Sequence, residues 1–272
     1  MRPDTYLAIR DGKVTKANEL IQKSRFNLSL QQQKIVLYLI SHITPYDEDF
    51  KLYEFSIQEF CHVCGIEDQS GKNHTDLKAA LKEIADKSLW VTLPDGRETL
   101  LRWIEKPYIE PKSGMVKVKL DKDMKPYLLQ LKENFTSYEL IYTLHFKSKY
   151  TIRLYELVKS IHFHELEEYS RSYAIDELKR LLDAEGYKTY QHFKDRVLLP
   201  AVGEINEYSD KSLTFSATKS GRRFSDIAFT VRTKEPYERM RVRDKIDKEL
   251  GTNGQMSLWE MVQEAERRRR GE

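Results

Sequence analysis

The chain has 272 residues, of which 40% are hydrophobic and 11% aromatic, so it is long enough for two domains that each bury a core. Charged residues make up 33% of the sequence, but the two signs nearly cancel and leave a net charge of +3. This balance excludes the uniform basicity of a histone-like protein. It still allows local basic faces of the kind that bind DNA.

The sequence also lacks the signals of export and membrane insertion. No run approaches the ~20 apolar residues of a membrane helix, and the first residues lack the apolar core of a signal peptide. The chain contains two cysteines, as is common in a reducing compartment. We therefore expect a cytoplasmic protein without a membrane partner.

One pattern occurs twice, at about 29–120 and again at about 137–232. In each copy a long apolar helix, a short helix and a helix with a polar outer face precede two strands around a turn with Gly and Arg. This order is typical of a winged helix-turn-helix. We predict an α+β fold with two tandem winged helix-turn-helix domains, at 16–132 and 133–232. A weakly ordered arm, 1–15, precedes them, and a charged, partly disordered tail, 233–272, follows.

In the first copy, Ser29 and Ser56 each begin a capping pattern, with Gln or Glu three residues later, and predict the starts of two helices. Gly65 is expected to end the second of these helices. Thr75 is predicted to cap the next helix, whose buried face carries Leu77, Leu81 and Ile84. Strands are predicted at 51–55, 89–93, 98–108 and 115–120, with a turn at 94–96.

In the second copy, helical spacing of apolar residues predicts a helix over 149–163. A short helix follows at 175–182, ended by Gly186, and a longer helix is predicted at 189–207. Because Pro200 lies inside that longer helix, we expect a kink there. A hairpin is predicted from strands 213–218 and 224–232.

The longer helix of the second copy has the features of a DNA recognition helix. With Phe193, Val197 and Ala201 inward, its outer face carries side chains that can bind base edges or phosphates. These are Lys188, Gln191, His192 and Asp195, flanked by Lys194 and Arg196. At the hairpin turn, Lys219, Arg222 and Arg223 are expected to reach the neighbouring backbone or minor groove. The alternative is an ordinary solvated surface, which the basic turn makes less favourable.

The first copy carries a weaker version of this face. Its outer side includes Ala79 and Asp86, and its hairpin turn has only Arg97. Lys72, Lys78 and Lys82 are its candidate DNA contacts. The pattern favours protein contact over DNA contact in this half.

Two further patterns resemble those of metal-binding, redox or catalytic sites. Cys61-His-Val-Cys64 has the C-x-x-C spacing of zinc and redox sites, but a zinc site needs two more ligands, so we interpret both thiols as core residues. His162-Phe-His164, with Tyr169 and Tyr173 downstream, could serve a metal-dependent DNA-nicking enzyme. That geometry requires a strand, whereas this pair follows a helical pattern. Phosphate-binding and nucleophile motifs are absent, so we expect no enzyme, cofactor or metal.

Several passages resemble the theta-type, iteron-binding plasmid replication initiators, the initiator replication protein family. The resemblance runs from about residue 16 to 232, and its most specific part contains Glu204-Ile-Asn206 and Lys-x-Gly-Arg at the second hairpin. The passages are KANELIQKSRFNLSLQQQKIVLYLISHI, FSIQEFCHVCGI, NHTDLKAALKEIADKSLWV, FTSYELIYTLHFKSKYTIRLYELVKSI, YKTYQHFKDRVLLPAVGEINEYSD and FSATKSGRRFSDIAFTV.

The resemblance implies a division of labour. The second domain binds repeated origin sequences, the iterons, and the first mediates dimerisation and adds DNA contacts. A dimer represses its own gene, whereas a monomer opens the origin and recruits the host replication initiator and the replicative helicase. The DNA-binding residues implied are Lys188, Tyr190, Gln191, Lys194, Arg196, Lys219, Arg222 and Arg223, with Lys78 and Lys82 as auxiliary contacts. Two alternatives remain open: a two-domain transcriptional repressor, and the nicking enzyme built on His162 and His164.

Overall fold

The computed structural model describes residues 9–66, 70–93, 95–161 and 168–250. Two helix trios, each followed by a β-hairpin, succeed one another along the chain, as the repeated pattern predicted. The buried hydrophobic side chains of both halves form one connected core.

The first half begins with a strand and a short helix before its trio. Its elements are β1 (Lys13–Ala17), α1 (Asn18–Lys23), β2 (Ser24–Arg25), α2 (Leu30–Ile40), β3 (Tyr53–Ser56), α3 (Ile57–Val63), α4 (Ser70–Asp86), β4 (Ser88–Thr92), β5 (Glu98–Arg102), β6 (Tyr108–Ile109), β7 (Met115–Val118), a 3-10 turn (Lys122–Met124) and α5 (Lys125–Leu128). The trio is α2, α3 and α4, and the hairpin β4–β5 is the first wing.

The second half repeats this order. Its elements are β8 (Phe135–Glu139), α6 (Ile141–Leu144), α7 (Lys149–Lys159), β9 (Glu168–Ala174), α8 (Ile175–Leu181), α9 (Tyr190–Phe193), a π-helical segment (Lys194–Leu198), α10 (Leu199–Tyr208), β10 (Lys211–Ser220), β11 (Arg223–Thr233) and α11 (Pro236–Glu249). The trio is α7, α8 and the composite helix α9–α10, and β10–β11 is the second wing.

Local signals explain where most of these helices begin and end. The Ser29 hydroxyl oxygen accepts a hydrogen bond from the Gln32 N–H, and the Gln32 side-chain oxygen accepts one from the Ser29 N–H, as the capping pattern predicted. Ser56 and Thr189 cap α3 and α9 with one bond each, their hydroxyl oxygens accepting from the N–H groups of Glu59 and His192. Gly65 ends α3 in a left-handed conformation, with φ of 64°.

Two of the predicted helix boundaries were wrong. Helix α4 begins at Ser70, before Thr75, whose hydroxyl donates to the Gly71 carbonyl one turn back. Helix α8 ends in a Schellman motif at Asp183, with φ of 55°, and not at Gly186. The Asp183 carboxylate binds the Lys149 ammonium group at 2.5 Å, a contact between distant residues that offsets the strain of this conformation.

The strands form small antiparallel sheets that differ between the halves. In the second half, β9 joins the wing in the order β10-β11-β9, whereas in the first half β2 joins the wing in the order β2-β4-β5. Strand β3 instead pairs with β7, in a separate sheet with β6. The single strand predicted over 98–108 is therefore divided, because its two ends pair with different partners. Strand β9 was not predicted.

The N-terminal arm predicted over residues 1–15 was wrong from residue 9 onward. Strand β1 pairs with β8, with Val14 opposite Tyr138, and the Val14 side chain is fully buried. Arg10 is buried as well and donates to the carbonyls of His62 and Val63 at the end of α3. A single apolar residue among polar neighbours gave too weak a periodic signal to predict this packing.

The tail predicted over 233–272 was wrong for its first part. Helix α11 buries Val242 and Ile246, and Arg243 binds the carboxylates of Asp11 and Glu139. Because α11 has only two buried apolar positions, its sequence resembles that of a solvated segment. The apolar stretch at 256–262 lies outside the described residues.

Candidate nucleic-acid interface

The composite helix α9–α10 has one buried and one exposed face. Phe193, Val197 and Ala201 are buried, as the spacing predicted. The side chains exposed on the outer face are Gln191, His192, Asp195 and Arg196, and Lys194 is half-buried beside them. Lys188 is exposed as well, but it lies just before the N-cap residue Thr189 and not within the helix. The Gln191 amide donates to Asp195 at 2.8 Å, which orients the Asp195 carboxylate along the helix surface.

Pro200 changes the backbone of the composite helix in the turn that precedes it. Because proline has no N–H and its ring crowds the preceding turn, an ordinary α-helix cannot continue through it. The backbone instead widens into the π-helical segment, in which the Leu199 N–H bonds to the Lys194 carbonyl. The disturbance expected at Pro200 thus consists of one extra residue in the turn that carries Asp195 and Arg196. Such π-helical insertions are frequent at functional sites.

The second wing extends well beyond the core. From Thr218 to Phe224 every side chain is exposed, including Lys219, Arg222 and Arg223. Gly221 forms the tight turn with φ of 63°, a conformation that side chains rarely adopt. The strands are longer than predicted, so Lys219 and Arg223 lie within the ladder, and Arg222 lies in the turn.

An aromatic contact joins the wing to the composite helix. The rings of Tyr190 and Phe224 stack with centroids 4.1 Å apart. The Lys219 ammonium group lies 4.7 Å from the Phe224 centroid. Tyr190, predicted to bind DNA, thus has one face against the wing, and burial raises its pKa. Phe224 is not among the predicted site residues, although its position directly after two arginines was a usable signal.

The basic side chains of this surface have no acidic partner among the residues that the structure describes. Within the described residues, no salt bridge involves Lys188, Lys194, Arg196, Lys219, Arg222 or Arg223. A cluster of uncompensated cations attracts a polyanion, and it binds phosphates without first breaking internal ion pairs.

The equivalent surface of the first half is neutralised in part by its own acidic residues. Lys82 binds Asp86 at 2.7 Å, and Arg97 in the first wing binds Asp95 at 2.7 Å. Lys72 and Lys78 are exposed on α4. Leu77, Leu81 and Ile84 are buried as predicted. The structure therefore brings the second-half candidates onto one helix–wing surface, whereas Lys78 and Lys82 lie on a different helix.

One exposed leucine on the composite helix is not among the predicted site residues. Leu199 is 48% exposed although it lies in the helix centre, one turn after Asp195. Apolar periodicity assigned no role to an apolar residue outside the buried set. In a major groove, such a side chain can contact a thymine methyl group.

The two cysteines lie in the core. Cys61 and Cys64 are both free and buried, and burial raises the pKa of the Cys64 thiol to about 12. Among the described residues, no group of three or more His, Cys, Asp and Glu side chains could hold a metal ion.

The tyrosines of the nicking alternative are buried. His162 and His164 lie outside the described residues, but Tyr169 and Tyr173 are each only 7% exposed. The Tyr169 hydroxyl donates to the Val158 carbonyl at 2.8 Å, and burial raises the pKa of both phenols. A tyrosine nucleophile must reach a phosphodiester, so this packing opposes that alternative.

Comparison with known proteins identifies the family. The profile of the first winged-helix domain, described as Initiator Replication protein, WH1, matches residues 13–159. The profile of the second domain, Initiator Rep protein, WH2, matches residues 174–231. The chain belongs to the initiator replication protein family. The first match extends beyond the domain boundary predicted at residue 132.

Two individual proteins are also similar to this chain. A replication initiation protein from Escherichia coli is 26% identical over 226 residues, which cover 80% of this chain and 69% of the relative. The crystal structure of the Pi initiator protein in complex with iteron DNA has a TM-score of 0.69 and 20% identity, and the match covers 83% of this chain and 99% of that one. The family profiles and this fold confirm the two winged-helix domains. No helix within the described residues has the length and apolar character needed to span a bilayer.

Proposed function

We propose that this initiator family member binds repeated duplex DNA at a plasmid origin through the composite helix α9–α10 and the second wing. The observation that carries this proposal is the cluster of cations on that surface, which have no acidic partner in the described part of the chain. Lys194 and Arg196 lie on the helix, and Lys219, Arg222 and Arg223 lie on the wing. The similar solved structure, that of the Pi initiator protein, is a complex with iteron DNA, which supports the same ligand here.

Each element has its own task in this proposal. The exposed Lys188, Gln191 and Arg196 enter the major groove, where amide and guanidinium groups bind adenine and guanine edges. The wing cations bind the adjacent backbone or minor groove. Lys78, on α4, adds an auxiliary phosphate contact. Lys82 adds less, because its ion pair with Asp86 must break first.

We propose further that the first half mediates homodimerisation. Trp90 and Leu100 lie directly opposite each other on β4 and β5 and are 47% and 51% exposed. Beside them, Arg25 bonds to Glu98 at 2.8 Å, so both charge signs border the apolar pair. An apolar centre with a rim of both signs is self-complementary, as a two-fold interface requires.

The dimer would repress its own gene, and the monomer would open the origin and recruit the host initiator and the replicative helicase. Family membership and the difference between the two halves support these proposed roles. The division of labour between 16–132 and 133–232 belongs to the same proposal.

Selection from a randomised duplex library tests the DNA-binding proposal. The full-length protein should enrich one motif that covers about 20 base pairs, or two turns of the helix. Enrichment without a shared motif would contradict sequence-specific binding. Permanganate footprinting of a supercoiled plasmid carrying repeats of that motif beside AT-rich DNA then tests origin opening. Unpaired thymines support an initiator, and their absence supports a repressor.

A further inference from the structure

Phe224 occupies the junction between the second wing and the composite helix. Its ring stacks on Tyr190, the first residue of α9, at a centroid distance of 4.1 Å and an interplanar angle of 28°. Its cross-strand partner Lys219 places an ammonium group 4.7 Å from the ring centroid. Phe224 nevertheless remains 39% exposed, so it does not belong to the core.

The strand register explains how the wing reaches the helix. The ladder between β10 and β11 shifts between Thr218 and Lys219, which leaves Ser225 as an extra residue on β11. Such a bulge bends the strand and increases its twist. The outermost residue pairs therefore depart from the plane of the inner ladder, and Phe224 meets the start of the helix.

The contact has a consequence for the charged turn. No core packing holds the segment from Thr218 to Phe224, because all its side chains are exposed. The described contacts that hold the end of the wing in place are its own strand pairing and the stack on Tyr190. A wing fixed in advance loses less conformational entropy when DNA binds than a free hairpin does.

We propose that Phe224 is a positioning residue that locks the wing to the recognition helix through Tyr190. Helix and wing then meet DNA as one preformed surface, with Arg222 at a fixed distance from the helix N-terminus. This inference rests on the proposed function of the same surface, and it also makes a claim about the free protein.

NMR relaxation of the full-length protein without DNA tests that claim. In the wild type, wing-tip amides should show order parameters near those of rigid backbone, about 0.85, and in Phe224→Ala they should fall below about 0.6. Tyr190→Ala should have the same effect, whereas Phe224→Tyr should retain a rigid tip because it can still stack. Phe135→Ala, which removes a ring that is 41% exposed on β8, is the matched control. A wing tip of equal rigidity in all variants would overturn the proposal.

A double-mutant cycle tests the consequence for binding, with the duplex that the wild-type protein selects. Phe224→Ala and Tyr190→Ala should each weaken binding about threefold to tenfold, and the double variant should be no weaker than either. The salt dependence should stay unchanged, because no phosphate contact is lost. Losses that multiply in the double variant would show that each ring contacts DNA independently, and would overturn the proposal. If the wild type selects no duplex, the proposed function fails, and the relaxation experiment still decides the role of Phe224.

Discussion

Lys16 and Glu156 form a buried ion pair that joins the first strand to the main helix of the second half. The Lys16 Nζ atom lies 2.6 Å from the Glu156 Oε1 atom, and the two side chains are only 4% and 1% exposed. The Tyr138 hydroxyl donates to the same carboxylate oxygen at 2.6 Å. Arg153 lies one turn away on α7 and donates to the carbonyls of Ile21 and Leu181. Residues from both halves of the chain thus satisfy one buried polar network.

Removing Lys16 should therefore destabilise the whole molecule. We expect Lys16→Ala to lower the free energy of unfolding by about 3–5 kcal/mol, because it leaves a buried carboxylate with fewer partners. Lys13→Ala, an exposed lysine in the same strand, is the matched control and should change stability by less than about 0.5 kcal/mol. Urea unfolding followed by circular dichroism measures both. Equal stability of the two variants would show that the network contributes little.

This network also shows what the sequence could and could not predict. Strong periodic signals and capping residues located α2, α3, α7, α9–α10 and both wings, because they act within a few residues. The roles of Lys16 and β1 depend on contacts with residues more than a hundred positions away, and no local pattern encodes them. For the same reason no local pattern predicts α11, which lies within the predicted tail.

The candidate site, too, could be predicted from the sequence only in part. Helical spacing predicted the outward face with Lys188, Gln191 and Arg196, and composition predicted the basic turn. The pairing of Arg97 with Asp95, two residues apart, could have been inferred from the sequence. The stack of Phe224 on Tyr190 could not, since it depends on a strand register and a bulge.

Substitution within the exposed pair Trp90 and Leu100 on the first wing is expected to weaken the proposed dimer. Trp90→Glu should raise the dimer dissociation constant by roughly 30-fold or more, the effect of losing about 2 kcal/mol at an interface centre. The fold should survive, because the Trp90 side chain is half exposed. Sedimentation equilibrium measures the constant, with Tyr46→Glu, at a tyrosine that is 91% exposed, as the control. An unchanged constant for Trp90→Glu would place the dimer interface elsewhere.

If Leu199 contacts a thymine, the affinity for DNA should depend on a single methyl group of the DNA. Uracil in place of thymine at one position of the selected motif should weaken wild-type binding by about 0.8 kcal/mol, roughly fourfold. Leu199→Ala should bind the thymine and uracil duplexes equally, since its shorter side chain no longer reaches the methyl group. Fluorescence anisotropy over a series of single substitutions measures this. Identical uracil profiles for both proteins would exclude Leu199 from base readout.

The buried Asp210 carboxylate is expected to make the folded protein less stable in acid. Its burial alone would raise the pKa, but the attraction of Lys159 and Lys211 and a hydrogen bond from Tyr155 at 2.6 Å hold the pKa below its usual value. A carboxylate with a lowered folded-state pKa stabilises the fold above its unfolded-state pKa, and this contribution is lost as the pH falls further. The free energy of unfolding should thus decrease below about pH 4.

Asp210→Asn tests this assignment. The variant should be about 3 kcal/mol less stable at pH 7, because Lys159 and Lys211 lose their buried counter-charge, and its stability should depend less on acid. Asp76→Asn, on the exposed face of α4, should retain the wild-type profile. Urea unfolding at a series of pH values provides the comparison. Parallel profiles for Asp210→Asn and the wild type would assign the acid sensitivity to other groups.

The salt dependence of binding by Arg222→Ala tests the proposed DNA surface most directly. With the selected duplex, the slope of log binding constant against log salt concentration should become shallower by about 0.9, the value of one lost phosphate contact. Arg97→Ala removes the corresponding arginine of the first wing, which is already paired with Asp95, and should leave affinity and slope unchanged. If Arg222→Ala also retains both wild-type values, the second wing does not bind DNA and the central proposal is contradicted.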